Sequence, residues 1–263
     1  MARRRTRHRS RATWVVILVG LFTVGGLYAV AAPAAQHRPV ASATGDTDAG
    51  NELFLTNCAT CHGNNAGGTE NGPSLIGVGA AAVDFQVATG RMPMQATAPQ
   101  APKKRNDFSE QEIADMATYI ASLGAGPDIP QQKYLDPKLD DDEVLAEGYE
   151  LFRVNCAMCH NVVGAGGALT RGKYAPGLQD VEPIHIYEAM QTGPQSMPVF
   201  SDANLNPDEK QAIISYLRYA SEEPSPGGFP LGSLGPVSEG LFVWTGILAL
   251  IVAAAVWLGA KSS

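Results

Sequence analysis

The eleven residues ELFLTNCATCH, Glu52 to His62, return as ELFRVNCAMCH, Glu150 to His160. Cys58 and Cys156 stand 98 positions apart, and the likeness runs on past the two motifs. GPSL (Gly72 to Leu75) answers APGL (Ala175 to Leu178), and ATGRMP (Ala88 to Pro93) answers QTGPQSMP (Gln191 to Pro198). FSEQEIADMATYIASLG then answers LNPDEKQAIISYLRYA. Each copy reads as a helix bearing Cys and His, a loop with Pro, a loop with Met-Pro and a closing helix. The chain is therefore expected to fold as two like units.

Helical starts are written locally. Ser109 with Glu112 spells a capping box, and Asn206, Pro207 and Glu209 supply a cap, a first-turn proline and a first-turn acid. Behind them Ile113, Met116, Ala117 and Ile120 recur at helical spacing, as do Ile213, Ile214 and Leu217. No run of period-two alternation stands out, so the repeats read as all-α. Each spans only about 80 residues, a size at which an apolar core often needs a disulfide, a metal or a larger group to complete it.

The cysteines indicate which. All four fall in C-x-x-C-H, as Cys58, Cys61, His62 and Cys156, Cys159, His160. Covalent attachment of haem c needs two thiols about one helical turn apart and an imidazole next to them for the iron, and this spacing meets both needs. Disulfides would leave both histidines unexplained. Structural zinc usually brings its two C-x-x-C pairs within about 15 to 20 residues, far closer than here. A thioredoxin-like redox pair would want a βαβ context that the chain lacks. Two covalently bound haem c groups are the expectation.

The iron's other face decides between electron transfer and small-molecule chemistry, and a thioether there closes the site and raises the potential. Met197, in QSMPVF, is the candidate of the second repeat. Aligning the repeats on Thr-Gly and Met-Pro pairs it with Met92, and Met94 stays open as the alternative. Met116, on the apolar face of its helix, reads as core packing. Pro73 and Pro176 follow the motifs at similar distances, and their loops are expected to offer the carbonyls that orient the two imidazoles. His8, His37 and His185 carry no partner pattern and read as structural or exposed.

Apolar runs flank the repeats. Six arginines (Arg3, Arg4, Arg5, Arg7, Arg9, Arg11) precede an uncharged stretch from Trp14 to Ala35, the pattern of a cytoplasmic N-terminus with an exported remainder. A cleaved signal peptide ending near Ala35 is one reading. The length of the stretch favours the other, a retained anchor. A second uncharged run, Leu241 to Ala260, has Trp244 and Trp257 near its ends and reads as a transmembrane helix. Between them all 26 acidic residues meet only 12 basic ones, which makes nucleic acid a poor partner. Pro- and Gly-rich joints at Pro33 to Gly45, Gly124 to Asp142 and Glu222 to Ser238 separate these parts. The expected divisions are 1–35 for the basic end and anchor, 46–124 and 143–222 for the repeats, 223–238 for a tether and 239–260 for the last helix.

The order C-x-x-C-H, Gly-Pro-like loop, Met-Pro and closing helix resembles class I cytochrome c, twice over. The whole arrangement, TGRMP included, resembles the dihaem cytochrome c subunits of actinobacterial menaquinol:cytochrome c reductases. The resemblance implies two tandem class I cytochrome c domains between two transmembrane helices, with the haem domains outside the cytoplasm. It implies an electron-transfer subunit with no catalysis of its own, beside cytochrome b and the Rieske iron-sulfur protein. Electrons would pass from the Rieske protein through two haems to a terminal cytochrome c oxidase. Carried over residue by residue, Cys58 and Cys61 bind the first haem, with His62 and Met92 on its iron. Cys156 and Cys159 bind the second, with His160 and Met197. A dihaem subunit of another membrane oxidase or dehydrogenase shares every haem motif and stays open. A dihaem peroxidase would need an open iron position, against a Met-Pro in both repeats.

Overall fold

A computed structural model describes residues 17–23, 45–96, 98–222 and 236–261. Contacts divide the chain into two units, 1–41 and 42–263. Of the first, residues 17–23 are helical with exposed side chains. The rest of the expected anchor (Trp14 to Ala35), His8, His37 and most of the Pro33–Gly45 and Glu222–Ser238 joints lie outside the described residues.

In the second unit the first repeat comprises α1 (Thr47–Asn57), α2 (Ala59–His62), α3 (Ala80–Ala88) and α4 (Glu110–Ser122). The second comprises α5 (Asp142–Asn155), α6 (Ala157–His160), α7 (Pro183–Thr192) and α8 (Pro207–Glu222), and α9 (Pro236–Lys261) follows. Capping accounts for the starts. Asp46 accepts hydrogen bonds from the amides of Asp48 and Ala49 at 2.8 and 3.1 Å, and Asp141 accepts one from Val144 at 3.1 Å. Ser109 and Glu112 form the expected box ahead of α4. Asn206 and Glu209 do the same ahead of α8, with the Asn206 amide donating to Glu209 at 2.7 Å and Asn206 Oδ1 accepting from the Glu209 amide at 3.0 Å.

In each repeat the first helix crosses the last at a glycine. A Cβ added to Gly50 would fall on the backbone carbonyl of Asp115 and 2.8 Å from Tyr119 Cβ. One added to Gly148 would fall on the carbonyl of Ala212 and 3.0 Å from Tyr216 Cβ. One turn on, Phe54 meets Tyr119 with ring centroids 5.4 Å apart, and Phe152 meets Tyr216 at 5.5 Å. One further turn brings Cys58 and Cys156, so the crossing sets where the motif begins. Around it Phe54, Val83, Val87, Ile113, Met116 and Ile120 form the buried core of the first repeat. Phe152, Met190, Ile213, Ile214 and Leu217 are buried in the second.

Two features depart from the sequence reading. α3 and α7 lie mostly between the two loops of each repeat, where the sequence reading placed no helix. Every residue of α3 is buried or half-buried, because α3 packs on α4 and on α7 together. A helix covered on two sides shows no polar face to mark its period. The second departure is a small hairpin in a chain read as all-α. β1 (Gly167–Ala168) pairs antiparallel with β2 (Tyr174–Ala175), in the register Gly167 to Ala175 and Ala168 to Tyr174. It occupies the extra length of the second Pro loop.

α9 differs in kind. Its span Gly240–Lys261 has a mean hydropathy of 2.4, is long and apolar enough to cross a membrane, and has none of its apolar window buried against the rest of the protein.

The crossing yields a test. Gly148→Ala should destabilise the second repeat by about 1–3 kcal/mol, because backbone rather than a flexible side chain blocks the added methyl. Thermal unfolding followed by circular dichroism would show a lowered midpoint, and an unchanged melt would contradict so close an approach.

Candidate functional site

The chain bends at the start of each motif. Asn57 Nδ2 donates to the Leu53 carbonyl at 2.9 Å and Asn155 Nδ2 to Leu151 at 2.8 Å, closing the last turns of α1 and α5. Cys58 and Cys156 then both take φ −121°, outside helical values, and α2 and α6 restart at once. Within each short turn the histidine amide bonds back to the first cysteine's carbonyl, His62 to Cys58 at 3.0 Å and His160 to Cys156 at 2.9 Å. The two thiols and the imidazole of each motif therefore issue from a single turn.

No disulfide joins any of the four cysteines. Burial, and then the neighbouring cysteine, push Cys58 and Cys156 up to about 11.

The imidazoles are held from behind. His62 Nδ1 lies 2.7 Å from the Pro73 carbonyl and His160 Nδ1 2.9 Å from the Pro176 carbonyl, the acceptors that the spacing predicts. A carbonyl can only accept, so Nδ1 carries the proton and Nε2 keeps its lone pair. Burial lowers the His160 pKa, against the opposing pull of the Pro176 bond, and keeps this ring neutral. The two loops repeat one another in backbone bonds. Gly68 and Gly166 each donate to the carbonyl of the motif histidine at 2.8 Å. Leu75 donates to Ala66 at 2.8 Å, and Leu178 to Gly164 at 2.7 Å.

In the second repeat Cys156, Cys159, His160 and Met197 line one cavity of about 310 Å³. In the first repeat Met92 and Cys58 pack against the same buried cluster, which includes Phe54 and Val83, while Met94 is not part of it. Two cysteines and an imidazole with a free Nε2, in the second repeat on the wall of a largely apolar cavity, fit a covalently attached haem c.

Sequence reasoning missed what crosses between the repeats. Phe85, Arg91 and Gln100 of the first repeat also line the second repeat's cavity. The Arg91 guanidinium lies 4.7 Å from the centre of the Phe85 ring, and burial lowers its pKa. Gln100 extends the hairpin edge. Its Nε2 donates to the Tyr174 carbonyl at 2.8 Å, and its Oε1 accepts from the Tyr174 amide at 2.9 Å. His185, read as structural or exposed, is buried and stands 3.9 Å from Asp84 of the first repeat. Met116 lies in the core as expected.

These two sites define a tandem c-type cytochrome with two covalent haem c groups. The description "Cytochrome c" matches residues 47–124, and "Cytochrome C oxidase, cbb3-type, subunit III" matches residues 143–217. A "Cytochrome bc1 complex cytochrome c subunit" of Corynebacterium efficiens is 44% identical over 276 residues, covering 98% of this chain and 92% of that one. Proteins of the same name from Corynebacterium diphtheriae and Mycobacterium tuberculosis H37Rv are 44% identical over 277 residues and 43% over 269, covering 99% and 98% of this chain and 97% and 95% of theirs. The chain belongs to the family of cytochrome c subunits of the cytochrome bc1 complex. It is an electron-transfer component of a bc1-type complex, with the other bc1 subunits as partners, and the length and apolar composition of α9 suit it to membrane association.

The bridge across the repeats can be probed by hydrogen exchange. Gln100→Ala removes the acceptor of the Tyr174 amide, and deuterium uptake there should rise roughly five-fold, the equivalent of one ordinary hydrogen bond. Unchanged uptake would mean that Gln100 does not hold the hairpin edge.

Proposed function

We propose that this chain carries electrons from the Rieske iron-sulfur protein of a quinol-oxidising bc1-type complex to a terminal cytochrome c oxidase. The observation that carries the reading is the duplication. Both repeats present two thiols, one oriented imidazole and one methionine, so the chain has two sites of one chemistry rather than a carrier site and a catalytic one. Bound haem c supplies one-electron iron chemistry at each site.

The chain's own residues have distinct tasks. Cys58 and Cys61, and Cys156 and Cys159, anchor the haems covalently. His62 and His160 offer Nε2 to iron, with Pro73 and Pro176 fixing their orientation. Met92 and Met197 would each supply a thioether sulfur to an iron, and would thereby exclude water and added ligands. The packing of Met92 on the core supports it over Met94. Residues 46–124 and 143–222 form the two cytochrome domains, 223–238 the tether, and 239–260 a transmembrane helix, with an N-terminal anchor in 1–35. The arginine-rich N-terminus supports a cytoplasmic start, with both haem domains on the far side of the membrane.

A second reading, a dihaem subunit of a different membrane oxidase or dehydrogenase, draws on the oxidase-subunit description that matches residues 143–217. Extraction of the tagged protein from its native membrane in mild detergent, followed by a reduced-minus-oxidised visible spectrum, separates the two. Bands of b-type and a-type haem together beside the c-type band are the expected result, and c-type haem lacking that pair would favour the second reading.

The distal ligand has its own test. Met197→Leu should lower the midpoint potential of one haem by at least about 59 mV, a decade in a one-electron equilibrium, and open it to added cyanide. An unchanged titration would remove Met197 from the iron. Met92→Leu should do the same to the other haem, whereas Met94→Leu should leave both unchanged.

A further inference from the structure

We infer that Asp84 of α3, with His185 and Glu188 of α7, forms a binding site for a divalent first-row metal ion, of which Zn²⁺ is the probe, joining the two cytochrome repeats. The ligand-capable atoms of the three side chains lie within 4.8 Å of one another. His185 Nε2 is 3.9 Å from Asp84 Oδ2. Neighbouring ligands of a tetrahedral zinc ion stand roughly 3.3–3.6 Å apart, given Zn–N and Zn–O bonds of about 2.0–2.2 Å, so a small side-chain adjustment closes the site.

Glu188 makes the case for an ion. It is 0% exposed, no N–H or hydroxyl group donates to either of its carboxylate oxygens, and its one hydrogen-bond partner is the Asp84 carboxyl, with which it shares a proton. A buried carboxylate is tolerated when it is paired, protonated or bound to a metal. Burial, the Asp84 carboxylate beside it and the hydrogen bond between the two hold the Glu188 carboxyl well above the usual range. Two carboxylates balance the charge of a divalent ion, and the neutral imidazole adds a nitrogen donor without adding charge. That donor set suits Zn²⁺ better than Ca²⁺ or Mg²⁺, which favour oxygen alone.

The placement of the three side chains gives the site a function. His185 and Glu188 stand three residues apart on one face of α7, while Asp84 comes from the other repeat, so no repeat can build the site alone. Asp84 and Glu188 are not part of the cavity wall that carries the second haem motif, whereas His185 is. A metal here would clamp α3 to α7 behind that wall and hold the two haem-bearing repeats in one arrangement.

The experiment uses the full-length, haem-loaded protein in its complex, stripped with EDTA, equilibrated with Zn²⁺ and desalted. Zinc measured by mass spectrometry is compared with c-type haem measured on the same sample. Wild type should hold one Zn²⁺ per two haem c beyond the content of Asp84→Asn and Glu188→Gln, and the affinity at this site should fall at least tenfold in either variant. Equal zinc in wild type and in variants that retain both haems would overturn the site, leaving the cluster as a carboxyl pair that holds a proton. X-ray absorption at the zinc edge of wild type decides independently of any variant. A first shell of one imidazole nitrogen with oxygens at about 2.0–2.2 Å is expected, and a sulfur-containing shell, or no retained zinc, would contradict the proposal.

Discussion

The backbone-to-backbone crossing at Gly50 and Gly148 is the constraint on which the rest of each repeat depends. No side chain can stand between the two helices there, since a single added carbon already meets a carbonyl of the closing helix. The close approach lets Phe54 and Phe152 reach the tyrosines of that helix, and it fixes the height at which the first helix ends. One turn later the chain must present two thiols and an imidazole into a cavity. Glycine, aromatic ring and first cysteine at intervals of four residues are thus one device, used twice.

The imidazole geometry follows from the same economy of parts. Backbone carbonyls at Pro73 and Pro176 take the Nδ1 proton, so the orientation of each ring depends on loop shape rather than on another side chain. The loops hold that shape through backbone bonds that recur in both repeats. The first loop sets its histidine 11 residues from its proline and the second 16, and the second spends the difference on the hairpin that Gln100 of the first repeat reaches. The two repeats have diverged where they touch each other and stayed alike where they hold the haem.

What could be read from the chain, and what could not, divides along the same line. Caps at Ser109 and Asn206, the apolar stripe of α4 and the histidine acceptors are local, and residue spacing reveals them. α3 and α7 escaped because helices covered on two sides carry no polar face. Their ends were nonetheless marked, in α7 by Pro183 in the first turn and Gly193 in left-handed conformation just past the last. Contacts between the repeats leave no trace in spacing. Gln100 and Tyr174 are 74 residues apart, and Asp84 meets His185 only because two helices pack together.

Underlying the whole account is the claim that each repeat holds its own covalent haem c. Intact mass spectrometry of the purified chain, with peptide mapping of the two C-x-x-C-H segments, tests it most directly. The account predicts a mass increment of two haems, one on the peptide with Cys58 and Cys61 and one on the peptide with Cys156 and Cys159. A chain bearing a single haem, or a disulfide within either motif, would contradict it.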